Sequence, residues 1–343
     1  SGAVSFYVRS EAFASNLVLN NPPAPLMLHA DIAERHEAET IEDHRSLIAA
    51  LPAAERAHLV SRTNRHAAIR LAQHGAALTL TSTIILSGMP GWWLALVPQG
   101  VLLVFLFTAM HEATHETAFA SAPANRALRM CVGFVLLISP TWFRGFHFAH
   151  HRHTNDPAHD PELAIGHPTT WHDYLWRLTG LPLWWAQGRV LVRLISGNGS
   201  YDYLPARSQP RAIREARVFA AIYIAIAALS VLVGSAAAWW LWIAPMLLGQ
   251  PFLRAYLMAE HHRCPQVANM LANSRTTFTN RAMRWLAWNM PFHAEHHAYP
   301  SVPFHRLPAF HALTRPHLTS TSDGYRAFHG EMQDAMSGSP GRS

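Results

Sequence analysis

The chain has 343 residues, half of them hydrophobic and only 14% charged, against about 25% charged in soluble globular domains. Its net charge is +6 with no lysine anywhere. The arginines border apolar runs instead of interleaving with aromatics on a separate basic surface, which argues against nucleic acid and for a collar at lipid headgroups. The two cysteines, Cys131 and Cys264, form no CxxC pair, which excludes a zinc ribbon, a cysteine-ligated iron–sulfur centre and a disulfide scaffold.

Residues 1–65 read as a cytosolic N-terminal arm, with a first apolar stretch too short and charge-broken for a cleavable signal peptide. Its scattered histidines, His29, His36, His44 and His58, read as surface residues. Two matched blocks follow. Gly75 to Met110 and Val218 to Leu253 each run for 36 residues without Asp, Glu, Arg or His. One helix of that length would be about 54 Å long, far beyond a hydrocarbon core of about 30 Å. Each block therefore predicts a hairpin of two spans, about 70–88 with 92–110 and about 216–234 with 236–256. The turns fall at Gly88-Met89-Pro90-Gly91 and near Gly234-Ser235. Trp92, Trp93, Trp239, Trp240 and Trp242 lie beside them, as interfacial aromatics do. Arg62, Arg65 and Arg70 flank the first block, and Arg211, Arg214, Arg217 and Arg254 the second. The positive-inside rule puts all four hairpin ends in the cytoplasm.

Between the hairpins, Met130 to Pro140 is too short to span and predicts an interfacial or hairpin-packed segment. Trp171 to Ile195, interrupted by Arg177, Arg189 and Arg193 and broken at Pro182, predicts one or two amphipathic interfacial helices. Residues 319–343 read as a flexible C-terminal tail. The expected fold over residues 66–318 is an all-α membrane domain, with four transmembrane helices in two hairpins.

The chain holds 24 histidines. His111-Glu-Ala-Thr-His115 stands at the cytoplasmic exit of the first hairpin, and its i, i+4 spacing puts both imidazoles on one helix face. His147-Phe-Ala-His150-His151 and His293-Ala-Glu-His296-His297 repeat a HxxHH pattern for which random placement predicts only about 0.1 match. Positions i+3 and i+4 diverge by roughly 100° around a helix, so adjacent histidines can serve neighbouring ions. Glu260-His261-His262 leaves the second hairpin where His111 leaves the first. Eight box histidines plus one from this cluster exceed the four to six ligands one ion takes, and imply two metals. Glu112, Glu116, Asp156, Asp160, Glu260 and Glu295 are close enough in sequence to take the outer N–H of metal-bound rings. Asn289, in the run before the third box, is a further candidate. His153, His159, His167, His172, His305, His311 and His317 read as ordinary side chains.

Imidazole alone does not choose among zinc, iron, copper and nickel. A dry slot between hairpins suits a long acyl chain, and cleaving its C–H bonds needs a metal with accessible high oxidation states, which zinc lacks. His111-Glu112-Ala113-Thr114-His115 also matches the HExxH of zinc hydrolases, which keeps a membrane hydrolase in view. A metal transporter would place ionisable groups inside the spans, and both blocks lack them.

The three boxes around two hairpins resemble the integral-membrane fatty acid desaturase/hydroxylase superfamily, over roughly residues 66–315. The runs His150-His-Arg-His-Thr-Asn-Asp-Pro157 and Trp288 to Pro308 look like those around the second and third boxes of bacterial members. The resemblance implies four transmembrane helices under a cytosolic helical cap that holds a dinuclear site of two iron ions, with dioxygen as co-substrate and a fatty acyl substrate. It implies ligands His111, His115, His147, His150, His151, His293, His296 and His297, with His261 as the ninth and His262 as the fallback. Desaturation is the first expectation, with hydroxylation or decarboxylation to a terminal alkene as alternatives. No His-Pro-Gly-Gly haem motif is present, so the resemblance implies a separate carrier such as a ferredoxin or rubredoxin. It also implies a bacterial inner-membrane location with the site facing the cytoplasm.

Overall fold

The computed structural model describes residues 43–337. The remainder of the arm, with His29 and His36, lies outside the described residues, as do residues 338–343. Fifteen helices are described here: α1 His44–Ala50, α2 Ala53–Leu59, α3 Arg65–Ser87, α4 Leu96–Thr114, α5 Ala122–Val135, α6 Pro140–His153, α7 Trp171–Leu178, α8 Leu181–Ile195, α9 Gln209–Leu232, α10 Ala244–His261, α11 Met270–Asn273, α12 Arg281–Leu286, α13 His293–Ala298, α14 Leu307–Thr314 and α15 Tyr325–Met336. Two short parallel strands, β1 Thr276–Thr277 and β2 Thr321–Ser322, pair with each other.

Among the described residues, two helices are long and apolar enough to cross a membrane: Trp92–Thr114, which continues a short 3-10 turn into α4, and Ala206–Leu232, which contains α9. The pair α5 and α6, bent by 101° at its break, makes a third if counted as one broken span. Ile224, Leu229, Val231 and Leu232 on α9 are exposed, as side chains in lipid would be. The predicted turns hold. Gly88 and Gly234 both adopt left-handed backbone, at φ 62° and 63°, and end α3 and α9.

α4 and α10 cross closely, and small residues make this possible. A Cβ added at Gly100 would sit 1.9 Å from the carbonyl oxygen of Pro245. One added at Gly249 would sit 2.3 Å from that of Gly100. The Met130–Pro140 run packs against α9 and the segment that leads into α10. Its helix-end carbonyls are taken by Tyr223 Oη on Phe134 O at 2.7 Å and Trp242 Nε1 on Val135 O at 2.8 Å. The Trp171–Ile195 stretch is two helices, α7 and α8. They part at Gly180, which is left-handed, while Pro182 sits in the first turn of α8, where its missing N–H costs nothing.

Two expectations are corrected. His44 is buried, with its backbone N on Asn269 Oδ1 at 3.2 Å and its Nδ1 accepting Met270 N at 3.3 Å. Residues 319–337 are not a loose tail: α15 buries Phe328 and Met332 against Tyr174 and Ala259. The polar composition hid a helix whose few apolar residues fall on one face.

Candidate metal centre

Each box is positioned by the end of a helix. α4 stops at Thr114 because Glu116 turns left-handed, and two guanidinium groups take the freed carbonyls. Arg129 Nη1 donates to Ala113 O at 3.0 Å, and Arg144 donates to Thr114 O. Both cations also complement the negative helix end. α6 starts on Ser139, whose Oγ accepts Trp142 N, with Pro140 in the first turn. Glu215 on α9 fixes this start. Its carboxylate accepts Ser139 Oγ at 3.0 Å, Thr141 N at 2.9 Å and Thr141 Oγ1 at 2.7 Å. α10 ends at His261, where buried Arg275 donates to Ala259 O and His262 O, both at 2.8 Å. α13 carries the third box.

These ends bring the nine histidines together in two groups. His111, His115, His147, His151 and His296 form one; His150, His261, His293 and His297 form the other. Within each group the ligating atoms lie within 4.8 Å of one another. Facing Nε2 atoms are 2.7 Å apart for His115 and His147, 3.3 Å for His151 and His296, 3.1 Å for His150 and His261, and 2.8 Å for His261 and His293. Neighbouring ligands on one ion at a metal–nitrogen distance of about 2.1 Å stand about 3.0 Å apart, so the spacing fits a shared ion in each group. The groups adjoin. His151 of the first stacks on His297 of the second with ring centroids 4.0 Å apart. The adjacent residues of both HxxHH boxes thus part between groups, as the angular argument predicts.

His111, His147, His150, His293, His296 and His297 are buried. For His293, His296 and His297, burial first and the neighbouring imidazoles second hold the ring well below the usual histidine range. Neutral rings keep the lone pair a metal needs. His297 Nε2 is buried without a hydrogen-bond partner among the described residues, while its Nδ1 lies 3.1 Å from Thr154 Oγ1. A cation would satisfy that free nitrogen. The chemistry of the donor set and its spacing therefore fit two metal ions.

The outer contacts only partly follow the sequence. Asp160 holds His150 Nδ1, with both oxygens at 3.0 Å. Glu260 Oε1 lies 3.4 Å from His293 Nδ1. The turn expected over the second box is present, with Asn155 N on Asp160 Oδ2 at 2.8 Å. Four other carboxylates look elsewhere. Glu112 accepts Phe304 N at 2.8 Å, because one position beyond His111 faces away around the helix. Asp156 faces His159 and Ala158 N. Glu116 pairs with Arg129 and Arg144. Glu295 takes Thr276, His311 and Thr314. Asn289 donates to Phe304 O at 2.9 Å and touches no box histidine. His262 belongs to neither group; its Nδ1 lies 2.7 Å from that of His167. Ser274, whose Oγ is 3.3 Å from His261 Nδ1, carries no pattern that could have found it. Thr154 stands beside the second box and was legible only by adjacency. Half-buried His311, expected to be an ordinary side chain, is tied to the third box through Glu295.

Apolar helices of membrane-spanning length and two converging groups of imidazoles define an integral membrane protein with a candidate dinuclear metal centre. The family model described as fatty acid desaturase matches residues 87–329, and the chain belongs to that family. Among curated relatives, the human sphingolipid delta(4)-desaturase/C4-monooxygenase is 26% identical over 216 residues, 59% of each chain. The sphingolipid delta(4)-desaturase of Xenopus tropicalis is 26% identical over 207 residues, 58% of each. That of Drosophila melanogaster is 27% identical over 220 residues, 61% of each. The chain thus spans about three fifths of the length of these relatives.

Proposed function

We propose that the protein is an oxygen-dependent, non-haem di-iron oxidoreductase acting on an acyl chain, with desaturation as its main reaction. The observation that carries this reading is the partition of nine imidazoles into adjoining groups of five and four. His111, His115, His147, His151 and His296 would hold one iron, and His150, His261, His293 and His297 the other. Bound there, the irons would supply reduction of dioxygen and oxidation of an unactivated methylene.

The chain's own residues prepare the site. Burial keeps the third-box rings neutral. Asp160, Thr154 and Ser274 orient the second group through the outer nitrogens of His150, His297 and His261. Phe143 lies parallel to His147 with centroids 5.3 Å apart, and Phe107 packs edge-on to Phe143 at 5.5 Å. This apolar wall excludes water beside the five-histidine group and offers an alkyl chain a matching surface. α3 and α10 would complete two hairpins with α4 and α9, giving four spans under a cytosolic cap formed by α6, α11, α13 and the segments between them. The substrate would be a fatty acyl group in the lipid phase. Electrons would come from a separate carrier of the ferredoxin or rubredoxin type, at the cytoplasmic face of a bacterial inner membrane.

Hydroxylation is the second reading, favoured by the relative whose name joins desaturase and monooxygenase. A zinc hydrolase fits less well. Its general base would be Glu112, and one oxygen of that carboxylate is committed to Phe304 N. Elemental analysis of purified protein tests the centre. Two irons per chain are expected. One zinc per chain, with activity indifferent to oxygen and reductant, would overturn the proposal.

A further inference from the structure

The second-box helix ends in a turn whose side chains the oxidation chemistry leaves idle. His153 is the last residue of α6, and Asp156 and His159 follow in the turn that leads to Asp160. Ligating atoms of these three side chains lie within 4.8 Å of one another. The rings of His153 and His159 are 5.2 Å apart, and Asp156 Oδ2 is 2.7 Å from His159 Nδ1.

The carboxylate is set in place by the backbone. Its Oδ1 accepts Ala158 N at 2.9 Å, which aims Oδ2 at His159. The turn is closed by Asp156 N on His153 O at 2.8 Å and Asp160 N on Asp156 O at 2.9 Å. An exposed ion pair between Asp156 and His159 contributes little by itself and gives His153 no part.

We propose that His153, Asp156 and His159 form a third, exchangeable site for a divalent transition ion, separate from the nine-histidine centre. Two imidazoles and one carboxylate suit borderline ions such as zinc or nickel, and not calcium or magnesium, which take all-oxygen sets. Three protein ligands leave the remaining positions to water, and the exposure of His159 makes exchange with solvent direct. An ion there ties the end of α6 to the turn that carries Asp160, and Asp160 holds His150. Occupancy would stiffen the support of the four-histidine group without touching it.

The test uses whole protein with the nine-histidine centre loaded. It is dialysed against micromolar zinc, and zinc and resident metal are counted in the same sample. One zinc per chain beyond the resident metal is expected, bound at least tenfold more weakly in Asp156→Ala and in the double variant His153→Ala/His159→Ala. His172→Ala, an exposed histidine outside the cluster, should leave the titration unchanged. Unaltered resident metal in every variant shows that the fold survives. No additional zinc in the wild type, full retention by the double variant, or an equal loss in His172→Ala would overturn the proposal. The comparison is made at equal occupancy of the nine histidines, so failure here leaves the oxidoreductase reading standing.

Discussion

Both carboxylate oxygens of Asp160 lie 3.0 Å from Nδ1 of His150. That contact makes Nδ1 the donor and leaves Nε2 facing His261, 3.1 Å away. Asp160 is itself fixed by the backbone N–H groups of Asn155 and Glu162. The pair reads as the outer support of one metal ligand, of the kind that sets ring orientation and basicity.

Replacing Asp160 by Ala should lower the metal affinity of the four-histidine group by roughly 10–100-fold, the range for such supports. Competition with a chelator checks this. One ion per chain should leave early and the second should be held as in the wild type. Simultaneous loss of both, or no change, would contradict the role given to Asp160.

His296→Ala and His297→Ala should empty different groups. The two residues are neighbours in sequence, yet His296 faces His151 and His297 joins His150, His261 and His293. Each variant should retain about one ion per chain. Spectroscopy of the retained ion should differ between them, since five nitrogens remain available in one case and four in the other. Identical spectra would count against the partition.

How much of this was legible beforehand follows from the range of the forces involved. The boxes are local patterns: His111 with His115, and the two HxxHH runs, place their own rings through helix geometry. The turns at Gly88 and Gly234 were readable because an uncharged block longer than a membrane must fold back. The outer supports were readable only in part. Asp160 was within reach because its turn folds back over the second box, but Ser274 reaches His261 from another segment, and Glu112 spends an oxygen on Phe304, far along the chain. Sequence proximity favoured Asp156 and Asn289, and both point elsewhere. α15 was missed because only Phe328 and Met332 of its residues are fully buried, too few to offset a polar composition.

Glu215 is the anchor of the second-box helix, and Glu215→Ala should be costly. It strips partners from buried Ser139 Oγ and from half-buried Thr141 N and Oγ1; a fully buried group left unpaired costs about 1–3 kcal/mol. The thermal midpoint in detergent should fall clearly, and metal held through His147 should loosen with it. A midpoint within error of the wild type would show that α6 is held by other means.

Phe328→Ala tests whether residues 319–337 belong to the folded body. Phe328 is 1% exposed and packs with Tyr174, Ala259 and Met332. Truncation of a buried Phe costs about 3–5 kcal/mol. A loss of that order in denaturation, matched by truncation after Leu318, is expected; an indifferent protein would return this segment to the status of a tail.

The proposed reaction is oxidation of an acyl chain with dioxygen at a histidine-held dinuclear centre. Mass spectrometry of a defined fatty acyl substrate, incubated with a ferredoxin or rubredoxin reductase system with and without oxygen, tests it most directly. The expected product is two hydrogens lighter than the substrate, formed only when both oxygen and reductant are present and absent in His147→Ala. Conversion that proceeds without oxygen, or a product of hydrolysis alone, would contradict it.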